Sequence, residues 1–260
     1  MDLQRFNQLI VHMQASDNEE RSDAERIYSE LDLAPKASLL FSLYCTADAP
    51  LESRLMCLVL LRRLLSSNWD ELWHDLGDQQ KSFTDQLINT VMAEADARLR
   101  RKLLSVIAEV ARNTVDEDTG KQKWSEVIQF LEHCMASENL VEVEFVATLL
   151  ESVPNIFGSD QDTYLPRIKN VFFTLFKGAD PEVRSSAFRA FVTFVVENDD
   201  DEQLVKSLSP LMAQIVETYR HTSVRQPRIG YHCEVNKNIN RIKRLIDILG
   251  FCAVICFYIV

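Results

Sequence analysis

Apolar residues recur every three to four positions along most of this chain, which is the period of a helix buried on one side. One plan occurs in residues 94–113 and again in 178–198: a short acidic turn, then a helix with an apolar stripe and an arginine near its start. In the first copy the stripe is Leu103, Ile107 and Val110. This repetition predicts several helices of one design.

Each of these helices follows another amphipathic run, so the chain is predicted to be a series of helical hairpins. Their spacing is close to the roughly 40-residue period of HEAT and armadillo repeats. An ordinary helical bundle would produce the same stripes, but similar units at similar spacing favour a solenoid. A sixth first helix, 202–219, has no partner and forms a half repeat. The predicted hairpins are 2–31, 35–67, 78–113, 122–153 and 161–197.

The composition favours an all-α fold. The chain has six Gly and seven Pro, and it has no sustained alternation of β-branched or aromatic residues with polar ones, which leaves little material for a sheet. We therefore expect an all-α HEAT-repeat superhelix over 1–220, with about five and a half hairpins. Residues 221–260 read as a basic and then apolar tail outside the array.

The formal net charge of −11 is unevenly distributed. Residues 1–220 hold 22 Lys and Arg against 37 Asp and Glu, whereas 221–260 hold 6 against 2. An acidic body repels nucleic acid and favours basic partners. No N-terminal segment resembles a signal peptide, and Cys45, Cys57 and Cys134 lie on helical runs where reduced thiols are common. The pattern indicates the cytoplasm or the nucleus.

Sequence signatures of catalysis are missing. The chain has no glycine-rich phosphate loop and no paired Cys or His spacing of the zinc type. A catalytic triad can assemble from distant residues, but nothing here singles one out. We therefore expect a protein that is not an enzyme and that has no cofactor and no metal site.

Several ordered blocks resemble the N-terminal end of the importin-beta, or karyopherin-beta, family of nuclear transport receptors. Their order and spacing match over about residues 1–220, which makes the resemblance more specific than any single leucine-rich helix. The blocks are Ala24-Glu25 with Tyr28, Leu60 to Ser67, Ala108 to Asn113, Asp116 to Asp118 with Trp124, and Pro154 to Gly158 with Tyr164-Leu165.

The resemblance implies a protein that works by binding other proteins. Members carry cargo, often basic, through nuclear pores lined with Phe-Gly nucleoporin repeats, and they release it when the GTPase Ran binds in its GTP state. On this reading Arg62 and Arg63 face Ran, and Arg112 with Asn113 takes the corresponding place one repeat later. From the residues alone, the two arginines of the first pair could instead pair with acids of neighbouring repeats, such as Glu71 or Glu109.

The chain also departs from this family. Receptors of this family are much longer, so we expect a truncated or partial receptor. The tail is either an accidental or alternative terminus or a C-terminal anchor over 245–260, and the anchor falls short of the roughly 18 to 20 apolar residues that span a membrane. A membrane role is therefore not expected. A HEAT scaffold of the phosphatase or microtubule-regulator type, with or without that anchor, is the alternative function, and an enzyme is the least supported.

Overall fold

The structure, a computed structural model, describes residues 1–201, 203–208 and 210–211. The described part is helical and holds no strand, apart from one isolated bridge between Val115 and Gln122. This confirms the all-α prediction. The helices are α1 (Leu3–His12), α2 (Asn18–Ser29), α3 (Leu33–Cys45), α4 (Leu51–Ser67), α5 (Trp69–Leu76), α6 (Gln79–Ala93), α7 (Ala97–Asn113), α8 (Ser125–Ala136), α9 (Leu140–Ser152), α10 (Gln161–Lys177) and α11 (Pro181–Glu197).

The chain divides into two compact units, Met1–Thr114 and Val115–Val260. In the first unit α1 packs on α2, α3 on α4, and α6 on α7. The second helices α4 and α7 also lie against each other, and α1 contacts both α3 and α4. Apolar stripes of these helices meet in one core, with Leu61, Leu65 and Leu103 fully buried.

The second unit repeats this arrangement. Hairpin partners α8 and α9 pack together, as do α10 and α11, while α9 packs on α11 and α8 on α10. Phe172 lies at the centre of an aromatic cluster, 5.2 Å from Phe191 and 6.0 Å from Phe176 between ring centroids. Residues 203–208 and 210–211 are helical as well.

The arginine shared by the repeated helices has a structural role at the turn. In α7 the N-cap Asp96 accepts the N–H groups of Arg98 and Leu99, and Arg100 donates to the carbonyls of Glu94 and Ala95 at 2.9 and 2.7 Å. The aspartate therefore satisfies free N–H groups at the start of the helix, and the arginine four positions later satisfies carbonyls of the turn before it.

The same arrangement occurs at α11 and, in part, at α2. Arg184 donates to the carbonyls of Gly178 and Ala179, both at 2.7 Å, four residues after the N-cap Asp180. Arg21 donates to one carbonyl at the same offset from the N-cap of α2. The repeated sequence plan is thus a repeated turn in which an aspartate accepts from N–H groups of the helix and an arginine donates to carbonyls of the turn.

Helix α5 was not predicted. The sequence ends one hairpin at 67 and begins the next at 78, whereas the structure has an eight-residue helix between them. Its Leu72 and Leu76 are buried, Trp69 and Trp73 stack at 4.4 Å, and Gly77, with φ of +46°, ends it. Two turns are too short for periodicity to separate a helix from a loop.

The predictions for the C-terminal tail cannot be compared with the structure. The anchor over 245–260, the tail over 221–260 and most of the half repeat 202–219 lie outside the described residues. Within the part that the structure describes, no helix is both long enough and apolar enough to cross a bilayer.

Candidate partner-binding site

Helices α4 and α7 place the predicted binding residues on neighbouring surfaces. Each helix buries its leucine-rich face in the core of the first unit. The 3.6-residue period therefore leaves Arg62 and Arg63 of α4, and Arg112 and Asn113 of α7, on the exposed side.

Three of the four predicted residues meet at Glu109. Its carboxylate oxygen Oε2 accepts a hydrogen bond from Arg112 Nη1 at 3.0 Å and lies 3.7 Å from Arg62 Nε. Asn113 donates its side-chain amide to the backbone carbonyl of the same residue at 2.8 Å. Glu109 thus contacts polar side chains of both α4 and α7.

This cluster is buried at its carboxylate and exposed at its two arginines. The Glu109 side chain is 6% exposed, whereas the side chains of Arg62 and Arg112 are 58% and 48% exposed. A buried carboxylate needs a partner, and here the partners are the inner edges of two guanidinium groups. The arginines are held near each other while facing water.

Arg63 lies apart from this cluster. It lies near the phenol of Tyr28 on α2, whose pKa is raised by burial first and by the neighbouring Cys57 second, while the Arg63 charge acts in the opposite direction. Lys36 Nζ lies 4.9 Å from the centroid of the Tyr28 ring. Arg62 and Arg63 are adjacent in sequence, yet they approach different neighbouring helices.

From the sequence alone, Glu71 and Glu109 were both candidate ion-pair partners for the two arginines of α4. The structure pairs Arg62 with Glu109 and gives Glu71 no ion pair with either arginine. Which acid lies closer depends on how α4 packs sideways on α7, and one sequence holds no direct signal of that packing.

A second cluster, around Glu94, was missed by the sequence interpretation. Glu94 Oε2 accepts hydrogen bonds from Arg54 at 2.8 Å and from the Tyr44 hydroxyl at 3.0 Å. Burial, followed by the charge of Glu94 and its hydrogen bond, raises the pKa of Tyr44, so the hydroxyl stays protonated and donates. This cluster fixes the turn before α7 against α3 and α4.

In the second unit, the acidic block that carries part of the resemblance forms a closed loop. Asp116 accepts from Lys123 at 2.6 Å and from the Thr119 N–H and hydroxyl at 2.7 and 2.8 Å. The Lys123 hydrogen bond, with the Thr119 bonds next, holds the pKa of Asp116 well below its usual range. The carboxylate therefore stabilises the loop, while Glu117 and Asp118 are exposed.

The other block of that unit closes on this loop. The backbone N–H of Ser159 donates to the Gly120 carbonyl at 2.8 Å, and Gly158 has φ of +54°. A Cβ atom added at Gly158 would lie 2.0 Å from the Gly120 oxygen, so glycine is required there. Phe157 stacks on Tyr164 at 4.3 Å. Blocks that are 40 residues apart in sequence thus form one structural feature.

Comparison with known proteins gives a family and a set of related structures. A family model described as IPO5-like, TPR repeats matches residues 95–230. Such repeats are also antiparallel helix pairs, as the hairpins here are.

Among solved structures, the chain is similar to Kap121p bound to Nup53p, with 20% identity and a TM-score of 0.65 over 95% of this chain and 22% of that one. It is also similar to Kap121p alone, with 20% identity and a TM-score of 0.66 over 95% and 22%. Kap121p bound to RanGTP gives 20% identity and a TM-score of 0.58 over 94% and 23%. The helices thus have the karyopherin HEAT-repeat fold, and the chain spans less than a quarter of those proteins.

Proposed function

Because this chain belongs to the IPO5-like, TPR-repeat family, we propose that it is the N-terminal part of a nuclear import receptor, nearest in type to karyopherin beta three, also called importin five. It acts by binding proteins in nucleocytoplasmic transport and not by catalysis. It works in the cytoplasm and the nucleus, and it uses neither nucleic acid nor a membrane as a partner.

Ran in its GTP state is the first partner in this proposal, and Arg62, Arg63, Arg112 and Asn113 form the contact. The observation that carries it is the convergence on Glu109, because two half-exposed guanidinium groups held at one carboxylate offer a preorganised cationic pair. Arginine binds carboxylates in a planar, two-pronged manner. Support also comes from the similar fold of Kap121p in its complex with RanGTP.

Nucleoporins and cargo are the further partners. Kap121p bound to Nup53p shares the fold of this chain, and by analogy we assign Phe-Gly nucleoporin repeats as ligands. Basic cargo is assigned to the full-length relatives, in accord with the net charge of −11 here. The exposed guanidinium groups of Arg62 and Arg112 are positively charged, so they suit an acidic partner surface rather than basic cargo.

A binding experiment with Ran tests the proposal. Immobilised full chain is titrated with Ran locked in the GTP state and, in parallel, with Ran loaded with GDP. We expect selective binding of the GTP state. The double variant Arg62→Ala with Arg63→Ala should raise Kd at least about tenfold, since hydrogen bonds to charged groups contribute about 1.5–3 kcal/mol each.

A matched variant controls for the loss of charge. Arg5 and Arg26 are exposed at 78% and 60% on α1 and α2, and each has an acidic partner within its own helix or N-cap. Their double alanine variant removes the same charge and should leave Kd within about twofold. Binding that ignores the nucleotide contradicts the function, and an unchanged Kd for the Arg62 and Arg63 variant removes those residues from the site.

A further inference from the structure

Tyr28 of α2 has different surroundings from the other two tyrosines that the structure describes. Tyr44 donates its hydroxyl to Glu94 at 3.0 Å, and Tyr164 donates its hydroxyl to Glu132 at 3.3 Å. The half-buried Tyr28 donates to no carboxylate within the described part of the chain. Among the described tyrosines, it is therefore the one whose hydroxyl is not held by an acidic acceptor.

Two positively charged side chains lie beside the Tyr28 phenol instead. Lys36 of α3 is 5% exposed, and its Nζ lies 4.9 Å from the ring centroid. Burial, followed by the Cys57 thiol, raises the pKa of the phenol, and Arg63 of α4 lies close enough for its charge to act in the opposite direction. Neither cation forms an ion pair with a residue that the structure describes, and Lys36 donates to the Ser29 carbonyl at 3.5 Å. A buried ammonium without an anionic partner is costly, so an anion at the phenol oxygen would stabilise this site.

The segment around Tyr28 is acidic and loosely packed. Residues 23–32 hold four acidic side chains and one basic side chain. Helix α2 has one buried residue, Ala24, which is fewer than any other of the helices α1 to α11 has. Elements with few buried contacts open locally at a free-energy cost well below that of global unfolding. Brief opening of α2 therefore presents an acidic tyrosine segment to solvent.

We propose that Tyr28 is a phosphorylation site for a protein-tyrosine kinase with a basic peptide groove, and that the phosphate then pairs with Arg63 and Lys36. The acidic segment is complementary in charge to such a groove. In the reaction the phenol oxygen forms a bond to the γ-phosphorus of ATP, and the bond from that phosphorus to the β,γ-bridging oxygen breaks. ADP leaves, and the phenol proton passes to a base of the kinase. The product carries close to two negative charges at neutral pH, directly beside the two cations.

The phosphate acts on the candidate partner-binding site through Arg63. Arginine and phosphate form strong, often two-pronged hydrogen bonds, so Arg63 would be held at α2 and withdrawn from a partner. Tyr28 lies in the last turn of α2, where a negative charge opposes the helix dipole, and the cations from α3 and α4 offset this cost. This regulatory consequence rests on the proposed function, whereas the modification itself does not.

The first test incubates the full chain with ATP and the purified catalytic domain of a protein-tyrosine kinase that prefers acidic segments, and mass spectrometry locates the phosphate. We expect Tyr28 to be modified at least about tenfold faster than Tyr44 and Tyr164, because Glu94 and Glu132 repel a phosphate at those two. The variant Tyr28→Phe keeps the ring and should lose this label. Faster modification of Tyr44 or Tyr164 would overturn the proposal, and so would a peptide of residues 21–33 that is phosphorylated while the full chain is not.

The second test follows the titration of the phosphate by ³¹P NMR. The second proton of a phosphate ester dissociates at about pH 6, and nearby cations favour the doubly charged form, so the phosphorylated chain should titrate at lower pH than the phosphopeptide of residues 21–33. Arg63→Gln should remove at least about half of that difference, whereas Arg5→Gln on α1, where the side chain is 78% exposed, should leave it unchanged. His12 of α1 lies beside Glu20, near the other end of α2. Equal titration of the chain and the peptide would overturn the pairing with Arg63 and Lys36.

Ran·GTP affinity separates this proposal from the proposed function. Phosphorylation of Tyr28 should raise the Kd for Ran·GTP at least about fivefold, because Arg63 is then paired with the phosphate. Kinase treatment of Tyr28→Phe should leave its Kd unchanged. An unmodified chain that does not bind Ran·GTP contradicts the proposed function, and the kinase and titration results still decide the modification. An unmodified chain that binds Ran·GTP, with the same Kd after phosphorylation of Tyr28, overturns the regulatory role.

Discussion

Replacing Glu94 with alanine removes the centre of the buried polar cluster that fixes the turn before α7. The Glu94 carboxylate accepts from Tyr44 at 3.0 Å, from Arg54 at 2.8 Å and from the backbone N–H of Asp96 at 3.0 Å. Arg54 also donates Nε to the Tyr44 carbonyl at 2.8 Å. The side chains of Arg54 and Glu94 are 20% and 8% exposed. The variant therefore leaves three donors without this acceptor, and two of them, the Tyr44 hydroxyl and the Arg54 guanidinium, lie in a largely dry site.

Two losses set the size of the effect. Tyr44 is fully buried, and a buried hydroxyl without an acceptor costs about 1–3 kcal/mol. Breaking a buried ion pair costs about 3–5 kcal/mol, and Arg54 falls at the low end because it retains some exposure and one carbonyl. The two losses overlap within one cluster, so they do not add. We expect a loss of about 3 kcal/mol in the free energy of unfolding.

Urea unfolding of the full chain, followed by circular dichroism at pH 7, measures this loss. With a slope of about 2 kcal/mol per molar urea, the unfolding midpoint should fall by about 1.5 M. The variant Glu94→Gln keeps an acceptor for Tyr44 and should lose less. Glu25 is exposed on α2 without an ion pair among the described residues, so Glu25→Ala should stay within about 0.5 kcal/mol of the parent.

A urea midpoint for Glu94→Ala that matches the one for Glu25→Ala would contradict the expected loss. That result would mean that Arg54 and Tyr44 find water or other acceptors at little cost. A Tyr44→Phe variant would then be informative, because it removes the hydroxyl donor while leaving the ion pair. If Glu94→Ala and Tyr44→Phe both leave the urea midpoint close to that of the parent, the cluster does not hold the turn.

Three further predictions follow from single sites. Gly158→Ala should destabilise the chain by at least about 2 kcal/mol more than Gly77→Ala. Both glycines have positive φ, but a Cβ atom at position 158 would also lie 2.0 Å from a carbonyl oxygen. Equal shifts in the urea midpoint of the two variants would contradict this. Burial raises the pKa of the Cys57 and Cys134 thiols from 9.0 to about 12, so these thiols ionise at lower pH in the unfolded chain than in the folded one. Their effect on the free energy of unfolding should be constant below pH 9, and the free energy of unfolding should fall from pH 9 towards 12. Urea midpoints at pH 8 and pH 10 measure this fall, which Cys57→Ala should reduce, and a flat profile in the parent would count against it. Glu109→Gln should raise the Kd for Ran·GTP several-fold by releasing the arginines it holds; tighter binding would instead mean that Glu109 competes with the partner for them.

Long apolar stripes were readable from the sequence because they repeat over four or five turns. The stripe of α7 predicted the burial of Leu103, Ile107 and Val110, and all three are fully buried in the structure. Periodicity reports which side of one helix is buried. It therefore predicts which residues are available for a site.

Contacts between helices were not readable in the same way. The convergence of Arg62 and Arg112 on Glu109 depends on the sideways packing of α4 and α7, which lie 30 residues apart in the chain. The cluster of Tyr44, Arg54 and Glu94 likewise joins three elements through single side chains. Such pairs leave no periodic trace, and acids and arginines are too common on these helices for one sequence to select the right partners.

The repeated turn and the candidate site are physically connected. Asp96 and Arg100 satisfy opposite ends of the turn before α7, which fixes where that helix starts and how it is rotated. A change of one residue in the start of α7 would rotate its side chains by about 100° and turn Glu109 away from α4. The joint contact of Glu109 with Arg62 and Arg112 therefore requires the cap some thirteen residues earlier, about 20 Å along the helix. The repeat signature thus serves both stability and the geometry that the proposed partner would meet.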